Sequence, residues 1–195
     1  LYEFVVDDGG LVSGGSGYWE FADPVDLPGI GYQGLAAWCT VCNGEVPAGA
    51  TPDLQLDVDL SALPAGTATQ LEIVHAWDLA ASGGTASFQA QVPPGGPWVE
   101  QASWSGSSAD GWVTETVDIT ALTGSLASVR FQLLGLGAAA PGWSIGRLEV
   151  GVVDGDGDGR AAALMDCDDA DASVYFDAPE IVDDGIDQDC DGSDL

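Results

Sequence analysis

Lysine is absent from this chain, and arginine occurs at only three positions, Arg130, Arg147 and Arg160. Proteins that hold a phosphate backbone need clusters of lysine and arginine to neutralise it. The composition therefore excludes nucleic acid as a partner. Long apolar runs are missing as well, because glycine and proline interrupt the longest uncharged apolar stretch, residues 131–145. We therefore expect no membrane insertion.

Residue types that commonly carry catalysis are also scarce. His75 is the only histidine, and no serine lies in a nucleophile-elbow setting. No spacing among the many carboxylates singles out a pair suited to glycoside hydrolysis. We therefore predict that the chain is not an enzyme, and that His75, within the strand pattern IVHAWD, has a structural role.

Acidic residues, in contrast, are abundant, and the 32 of them give a formal net charge of −29. Such a charge destabilises a compact fold by self-repulsion unless cations bind or the ionic strength is high. A brine habitat is one explanation. However, 15 of the 32 acids fall within the last 42 residues, often two positions apart. This clustering favours cations bound at defined sites.

The four cysteines permit three disulfide pairings. Their even number, in a chain rich in glycine and aspartate, indicates an oxidising compartment. We therefore predict an extracellular or cell-surface location after removal of a signal peptide, in keeping with Leu1 in place of methionine. For Cys39 and Cys42, a local disulfide is favoured over a redox pair or half of a zinc site. Neither a βαβ setting nor two further soft ligands accompany them.

The first 152 residues contain short segments in which apolar and polar residues alternate, a pattern typical of β-strands. In DLQLDVDL (residues 53–60), the leucines and Val58 fall on one face, and Gln55 and the aspartates fall on the other. The predicted strands are residues 1–6, 18–22, 34–39, 53–60, 70–79, 86–92, 112–119, 128–136 and 143–153. Nine such strands predict an all-β, two-sheet β-sandwich.

Several strings, in this order, resemble the jelly-roll sandwich of MAM-like and immune-inhibitor-A-like bacterial secreted proteins: WEF, GLAAW, DLSAL, IVHAWD, GWVTETVDITALTGSLASVRFQLLG and GWSIGRLEV. The resemblance covers nearly all of residues 1–150 and implies a jelly-roll fold. After Val153 the composition changes abruptly to aspartate and glycine. We therefore predict a jelly-roll domain over residues 1–152 and a small acidic module over residues 153–195.

The acidic module contains two similar aspartate loops. DGDGDGR (residues 154–160) places carboxylates at positions 1, 3 and 5, Gly159 at position 6 and the backbone carbonyl of Arg160 at position 7. Alternating aspartates on a tight loop direct several oxygens to one point, as calcium requires, and the glycine permits the sharp turn. DQDCDG (residues 187–192) is the second copy. Neither copy is a complete EF-hand loop, since position 12 of the first is Met165, so each is expected to borrow a closing ligand.

The whole segment, DGDGDG…DCDDADASVYFDAPEIVDDGIDQDCDG, resembles the MopE-type metal-binding motif of surface and secreted bacterial proteins. The resemblance implies cation binding by the aspartates and a disulfide between Cys167 and Cys190. The family often has Pro-Gly where this chain has Phe176 and Asp177, so the central turn is expected to differ. We predict Ca²⁺ as the cofactor, with ligands among Asp154, Asp156, Asp158, Arg160, Asp166, Asp168, Asp169, Asp171, Glu180, Asp187, Asp189 and Asp191.

These features predict a non-enzymatic, secreted, calcium-binding protein with a structural or adhesive role at a surface. Because incomplete loops leave coordination positions open, calcium is expected to bridge copies of the chain into a homo-oligomer or a homopolymer, such as a filament or surface layer. The alternative is a carbohydrate-binding jelly-roll module that recognises surface glycans. Among the seven tryptophans, Trp98 and Trp104 lie in Pro/Gly/Ser-rich surroundings. They are the best candidates for exposed rings that could stack on sugars.

Overall fold

The computed structural model of this 195-residue chain describes residues 2–4 by their backbone, and residues 10–22, 37–108, 111–158, 160, 166–182 and 184–193 in full. The strands in these residues are β1 Tyr2–Phe4, β2 Val12–Gly15, β3 Trp19–Ala22, β4 Ala37–Thr40, β5 Pro52–Asp59, β6 Thr69–Asp78, β7 Thr85–Gln91, β8 Val99–Ser105, β9 Val113–Asp118, β10 Leu126–Leu134 and β11 Gly142–Val152. A short 3-10 helix, Thr120–Leu122, lies between β9 and β10. No helix in this described part could cross a membrane.

The strands form two antiparallel sheets. In the first, the order is β3-β4-β11-β6-β9, and β1 also pairs with β11; in the second, the order is β2-β5-β10-β7-β8. The long strand β11 is central to the first sheet, where it pairs with β6 along its whole length. The central strand of the second sheet is β10, which pairs with both β5 and β7. The predicted all-β, two-sheet sandwich is thus confirmed.

Each of the nine predicted strands corresponds to an observed strand, and their described ends differ by three residues or fewer. The predicted strand residues 1, 5–6 and 34–36 lie outside the described residues. Two observed strands were not predicted, β2 and β8, which form the two edges of the second sheet. The predicted domain boundary stays a prediction. At that point β11 ends at Val152, and the Val153 N–H donates a hydrogen bond to the Ala68 carbonyl at 2.9 Å.

The core lies between the two sheets and is rich in aromatic side chains. Trp143 on β11, Phe88 on β7 and Phe131 on β10 are among its largest fully buried side chains. The rings of Phe88 and Phe131 stack at 5.0 Å, and Phe131 meets Trp143 at 5.7 Å between centroids. Such rings bury large apolar areas and contribute much of the stability of a sandwich of this size.

His75 lies inside this core with an exposed fraction of 0%. Its Nδ1 accepts a hydrogen bond from Trp143 Nε1 at 3.1 Å, which leaves the proton of the neutral ring on Nε2. Nε2 is 4.0 Å from Glu115 Oε2 and has no hydrogen-bond partner among the described residues. The rings of Trp77 and Trp104 pack against it at 4.8 and 4.7 Å. Burial lowers the pKa of His75 to about 4, in keeping with a structural role.

All four cysteines form disulfides. Cys39 and Cys42 are bonded to each other, with Cα atoms 5.2 Å apart, and pack with Ala37 in a small buried cluster. The predicted local disulfide is therefore confirmed, and with both thiols in this bond the pair is not a zinc half-site. Cys167 is bonded to Cys190, with Cα atoms 6.2 Å apart, which is the pairing that the family resemblance implies.

Candidate functional site

The first aspartate loop gathers three carboxylates at one point. Oxygens of Asp154, Asp156 and Asp158, one from each, lie within 4.8 Å of one another. Backbone N–H groups fix this arrangement: Gly157 donates to Asp154 Oδ1 at 2.7 Å, and Asp158 donates to Asp156 Oδ1 at 3.0 Å. Aspartates favour such local turns, in which the side chain accepts a bond from the backbone ahead. Gly159, predicted to form the sharp turn, lies outside the described residues.

Asp166 is a further carboxylate close enough to the first cluster to feel the charges of Asp156 and Asp158. Its side chain is only 6% exposed, and its Oδ2 has no hydrogen-bond partner among the described residues. Burial raises its pKa above the ordinary value, although the Asp168 N–H bond opposes the rise, and the charges of Asp156, Asp169 and Asp158 raise the pKa further. A buried carboxylate that faces other carboxylates is costly unless a cation neutralises them.

Asp169 closes the same loop from the other side. The Gly155 N–H donates to Asp169 Oδ1 at 3.1 Å. The contact is so close that a Cβ at Gly155 would lie 2.2 Å from the Asp169 carbonyl oxygen. Glycine at this position therefore lets the two acidic segments meet. Asp166 and Asp169 thus lie beside the first loop, where the sequence predicts that a closing ligand is borrowed.

The second cluster has a similar construction. Oxygens of Glu180, Asp187 and Asp189, one from each, lie within 4.8 Å of one another. The Asp189 N–H donates to Glu180 Oε1 at 2.9 Å, and the Gly192 N–H donates to Asp187 Oδ2 at 2.9 Å. Burial raises the pKa of Asp189, and the charges of Asp191, Glu180 and Asp187 raise it further, against the bond from the Asp191 N–H. Glu180 thus completes a loop that lies later in the chain.

Four of the predicted ligands neither belong to a cluster nor lie against one of its loops as Asp166 and Asp169 do: Arg160, Asp168, Asp171 and Asp191, whose Oδ1 accepts the Ser193 N–H at 2.9 Å. Asp168 accepts a bond from the Ala170 N–H at 3.3 Å, and Asp171 caps a local turn. The Ser173 hydroxyl and N–H both donate to Asp171 and hold its pKa below the ordinary value. Arg160 was predicted for its backbone carbonyl. In the structure its guanidinium pairs with Asp158 Oδ2 at 3.2 Å.

A short path links the two clusters. Asp166 forms an isolated β-bridge with Tyr175, and the Tyr175 N–H donates to the Gln188 carbonyl at 2.9 Å. The Arg160 guanidinium lies 3.8 Å from the centre of the Tyr175 ring. The disulfide between Cys167 and Cys190 joins the same two segments. Sequence reasoning did not single out Tyr175 or Gln188, because each acts through its backbone and its position rather than through a metal-binding side chain.

Gln188 organises the second loop. It is 3% exposed; its Oε1 accepts the Ile181 N–H at 3.2 Å, and its Nε2 donates to Asp184 Oδ2 at 2.8 Å. The predicted difference in the central turn stays a prediction. Asp177 adopts a φ of 72°, the left-handed conformation that glycine favours and that aspartate tolerates better than most residues.

Both clusters offer carboxylate oxygens. Hard cations such as calcium and magnesium prefer these donors, whereas copper and zinc sites usually include imidazole or thiolate. The single histidine is buried in the sandwich core, and the cysteines are all in disulfides. The donor set therefore fits a hard divalent cation.

The outer side of the second sheet carries a different polar surface, which we call the polar face. Outward side chains at matching register on β5, β10, β7 and β8 form three rows across the sheet. Its members are Asp53, Gln55, Asp57, Ser87, Gln89, Gln91, Glu100, Ser103, Ser128, Arg130 and Gln132. Several of these polar side chains are buried, yet Asp57 and Glu100 are exposed and Gln55 and Arg130 half-buried, so solvent reaches the face.

A chain of hydrogen bonds crosses the polar face. Arg130 Nε donates to Gln89 Oε1 at 2.8 Å, and Gln89 Nε2 donates to Ser87 Oγ at 2.9 Å. The Ser87 hydroxyl in turn donates to Glu100 Oε2 at 2.8 Å. Asp53, predicted to face solvent, is buried at the other end of the face, where it accepts a bond from Gln55 Nε2 at 2.9 Å. Burial lowers the pKa of Arg130, and the charge of Asp53 opposes this.

The two tryptophans predicted to stack on sugar lie in different places. Trp98 is half-buried beside the polar face, and the Arg130 guanidinium lies 4.3 Å from its ring centre. Trp104 is buried in the core beside His75, and its Nε1 donates to Glu115 Oε2. The prediction that Trp104 is exposed was wrong. Its strand, β8, was not predicted, and the alternation of that strand directs Trp104 inward.

Comparisons with known proteins found similarities for the C-terminal acidic segment and for the β-sandwich. Residues 166–194 match the family model named Cu-binding_MopE, whose description is "putative metal-binding motif". No curated protein sequence matches the chain. Among solved structures, TmCBM61 in complex with β-1,4-galactotriose is 12% identical, with a TM-score of 0.51 over 74% of this chain and 89% of that chain. The K2 cleaved adhesin domain of Lys-gingipain is 11% identical, with a TM-score of 0.51 over 77% of this chain and 99% of that chain. The chain therefore combines a β-sandwich that resembles carbohydrate-binding modules in fold with a C-terminal segment that matches the MopE-type metal-binding motif.

Proposed function

We propose that the chain is a non-catalytic extracellular protein whose acidic C-terminal segment binds calcium at the two carboxylate clusters. The observation that carries this proposal is Asp166, a buried carboxylate with an unpartnered oxygen among like charges. A bound cation would offset the repulsion among these carboxylates at neutral pH. Calcium fits best because it accepts six to eight oxygen ligands in irregular geometry, whereas magnesium demands near-ideal octahedral geometry.

Titration calorimetry with CaCl₂, MgCl₂ and CuCl₂ tests the proposal. Asp156→Asn should weaken calcium binding at the first cluster at least tenfold, and Asp189→Asn should do so at the second. Each substitution removes the charge of one of the three carboxylates in its cluster. Asp171→Asn is the matched control: it removes one charge from the same segment, keeps the Oδ1 that accepts the Ser173 N–H, and lies outside both clusters. Absence of calcium binding, or equal weakening by the control, would count against the sites. Tighter binding of copper than of calcium would overturn the choice of metal.

The extracellular location is supported by the two disulfides, which persist in oxidising compartments. A signal peptide and an adhesive role are further parts of the proposal. Fractionation of the native host, with antibody detection in the cell-surface and medium fractions, tests the location. Detection only in the cytoplasm would contradict it.

Calcium-bridged self-assembly has a narrower basis than the sequence suggested. Further carboxylates of the same chain lie beside both aspartate loops, Asp166 and Asp169 beside the first and Glu180 beside the second. If they act as closing ligands, the incomplete loops need no second copy to fill their open positions. What supports assembly is the net charge of −29, which shared cations would neutralise. Electron microscopy with and without chelator tests it, and monomers under both conditions would exclude it.

Carbohydrate binding is the second function that an observation favours. TmCBM61, whose structure contains β-1,4-galactotriose, shares the fold of the sandwich. The polar face supports the same function within this chain, because it combines hydrogen-bonding groups in fixed positions with a neighbouring tryptophan.

A further inference from the structure

We propose that the polar face binds a neutral, hydroxyl-rich oligosaccharide in the region between Gln55 on β5 and Trp98 in the β7–β8 loop. The inference rests on carbohydrate binding, the second function proposed above, and adds to it a location and a ligand class. Strands are about 4.8 Å apart, so β5, β10, β7 and β8 together give a surface about 14 Å across. That span suits a short oligosaccharide better than a single sugar ring.

The chemistry of the face matches hydroxyl groups. A hydroxyl both donates and accepts hydrogen bonds, and so does the amide of a glutamine. Four glutamines, at 55, 89, 91 and 132, occupy outward positions of three adjacent strands on the polar face. Gln55 is half-buried and is the most accessible of the four, whereas the other three are buried and would meet a ligand only at the bottom of the face. The backbone hydrogen bonds between strands already hold the sheet together. The stability of the sheet therefore does not explain why four glutamines lie on this face.

The face is also held in one conformation before any ligand arrives. Gln89 is fixed from both sides, by Arg130 Nε and by the Ser87 hydroxyl. Gln91 Oε1 accepts the Gly95 N–H at 2.6 Å, which ties the β7–β8 loop to the same surface. Binding to a preformed array costs little conformational entropy, so weak individual hydrogen bonds can add up to useful affinity.

Trp98 supplies the apolar part of the site. The Arg130 guanidinium lies over the ring and orients it. The side chain is half-buried, so part of the indole stays accessible. Aromatic rings of this kind combine a broad apolar surface with little side-chain entropy, which suits contact with the C–H side of a sugar ring.

The charges of the chain select a neutral ligand. The polar face contains one cation, Arg130, and three carboxylates, Asp53, Asp57 and Glu100. The whole chain carries −29. Acidic polysaccharides would therefore meet a repulsive potential at the face and over its surroundings. A neutral ligand meets no such barrier, and its binding should change little with ionic strength.

Affinity electrophoresis of the full chain in native gels tests the proposal. The probes are three neutral polysaccharides, a β-1,4-galactan, a xylan and a mixed-linkage β-glucan, and one acidic polysaccharide, polygalacturonate. Wild type should be retarded by at least one neutral probe and not by polygalacturonate. Trp98→Ala and Gln55→Ala should each weaken the retardation at least tenfold, because both side chains are half-buried at the edges of the proposed site. Phe176→Ala is the control, since it removes an exposed aromatic ring from the C-terminal segment.

The outcomes separate the inference from the function on which it rests. If none of the neutral probes retards wild type, carbohydrate binding itself fails. If a neutral probe retards wild type, Trp98→Ala and Gln55→Ala equally, carbohydrate binding stands and the polar face is not its site. Retardation by polygalacturonate as strong as by a neutral probe overturns the ligand class. Melting curves of both variants identify a loss of fold, and a variant that has lost its fold is replaced by Trp98→Leu or Gln55→Glu.

Discussion

At the scale of single residues, His75 shows how much of this protein depends on contacts that are distant in sequence. The residue is fully buried, and its ring nitrogen bonds Trp143, which lies 68 positions away in the chain. The IVHAWD pattern predicts a strand and a structural role for the histidine. It contains no information about Trp143, Trp104 or Glu115, because the register between strands decides which side chains meet. The low pKa of His75 was therefore not predictable from sequence.

That pKa makes stability depend on pH. The unfolded chain binds a proton at His75 near its ordinary pKa of 6.5, whereas the folded chain does so only near 4. The free energy of unfolding should therefore fall as pH drops from 6.5 to 4 and level off below that window. At about 1.4 kcal/mol per pKa unit, the loss from this residue is on the order of 3 kcal/mol.

Thermal melts of wild type and His75→Gln between pH 7 and pH 4 measure this effect. The variant stays uncharged over the whole range, so its melting temperature should fall less than that of wild type. Glu115→Gln is the control for the neighbouring carboxylate and should keep the wild-type pH dependence. If His75→Gln and wild type lose stability in parallel, the histidine does not cause the dependence.

At the scale of secondary-structure elements, the two unpredicted strands have one feature in common. Both β2 and β8 are edge strands, which pair on one side only and need less apolar sequence. β2 reads VSGG, and glycine weakens a strand on its own. The central strands were predicted, and so were β3 and β9, the edge strands of the first sheet, so an edge position alone does not explain the two omissions. Edge pairing is decided by the neighbouring strand, which the local sequence does not describe.

The glycines of β2 have a purpose that the neighbouring strand explains. A Cβ at Gly14 would lie 2.4 Å from Asp53 Oδ1, and the Asp53 carboxylate is buried and bonded to Gln55. Gly14→Ala should therefore destabilise the fold by about 1–3 kcal/mol, the usual range for overpacking.

Urea unfolding curves measure this loss of stability. Gly151→Ala in β11 is the matched control, because nothing lies within 4 Å of its added Cβ. Equal stability of the two variants would contradict the steric explanation.

The disulfide of the acidic segment is expected to act on cation binding as well as on stability. It joins Cys167, next to Asp166 of the first cluster, to Cys190, next to Asp189 of the second. Replacing both cysteines with serine removes a constraint worth about 3 kcal/mol in the chain-entropy model. Calcium affinity should then fall at least tenfold at both clusters, as measured by calorimetry. The matched control replaces Cys39 and Cys42 with serine and should leave calcium affinity unchanged. An equal loss of affinity in both variants would contradict a specific role for the Cys167–Cys190 bond.

The cation ligands stay a prediction, and the structure shows only where their side chains lie. The alternating aspartates identify the two loops, because the side chains that form each loop are close in sequence. The closing ligands were expected within a broad set, and the structure brings Asp166, Asp169 and Glu180 to the loops. Asp168 and Asp171 have the same residue type but cap local turns instead. The direction of each side chain depends on turns that the spacing of acids does not determine.

At the scale of the whole molecule, the net charge of −29 should produce two distinct responses to salt. Screening shortens from about 10 Å at 0.1 M to about 3 Å at 1 M, so NaCl should raise the melting temperature of any variant. Millimolar CaCl₂ in 0.1 M NaCl should raise it further, through binding to the folded state. Calorimetric melts distinguish the NaCl response from the CaCl₂ response. They compare wild type with a double variant that carries Asp156→Asn and Asp189→Asn. The double variant should keep the NaCl response and lose the calcium response, and an undiminished calcium response would indicate general screening.

The position of β11 has a mechanical consequence. The strand is central to its sheet, pairs with β6 along its whole length, and ends at Val152, two residues before the first aspartate loop. Tension applied to the C-terminal segment is therefore delivered to the middle of the sandwich and pulls β11 lengthwise against its partners. In that direction many backbone hydrogen bonds are loaded together, so they must break together. If bound cations stiffen the acidic segment, a force that pulls on this segment would act directly on β11, a strand that is hydrogen-bonded on both sides.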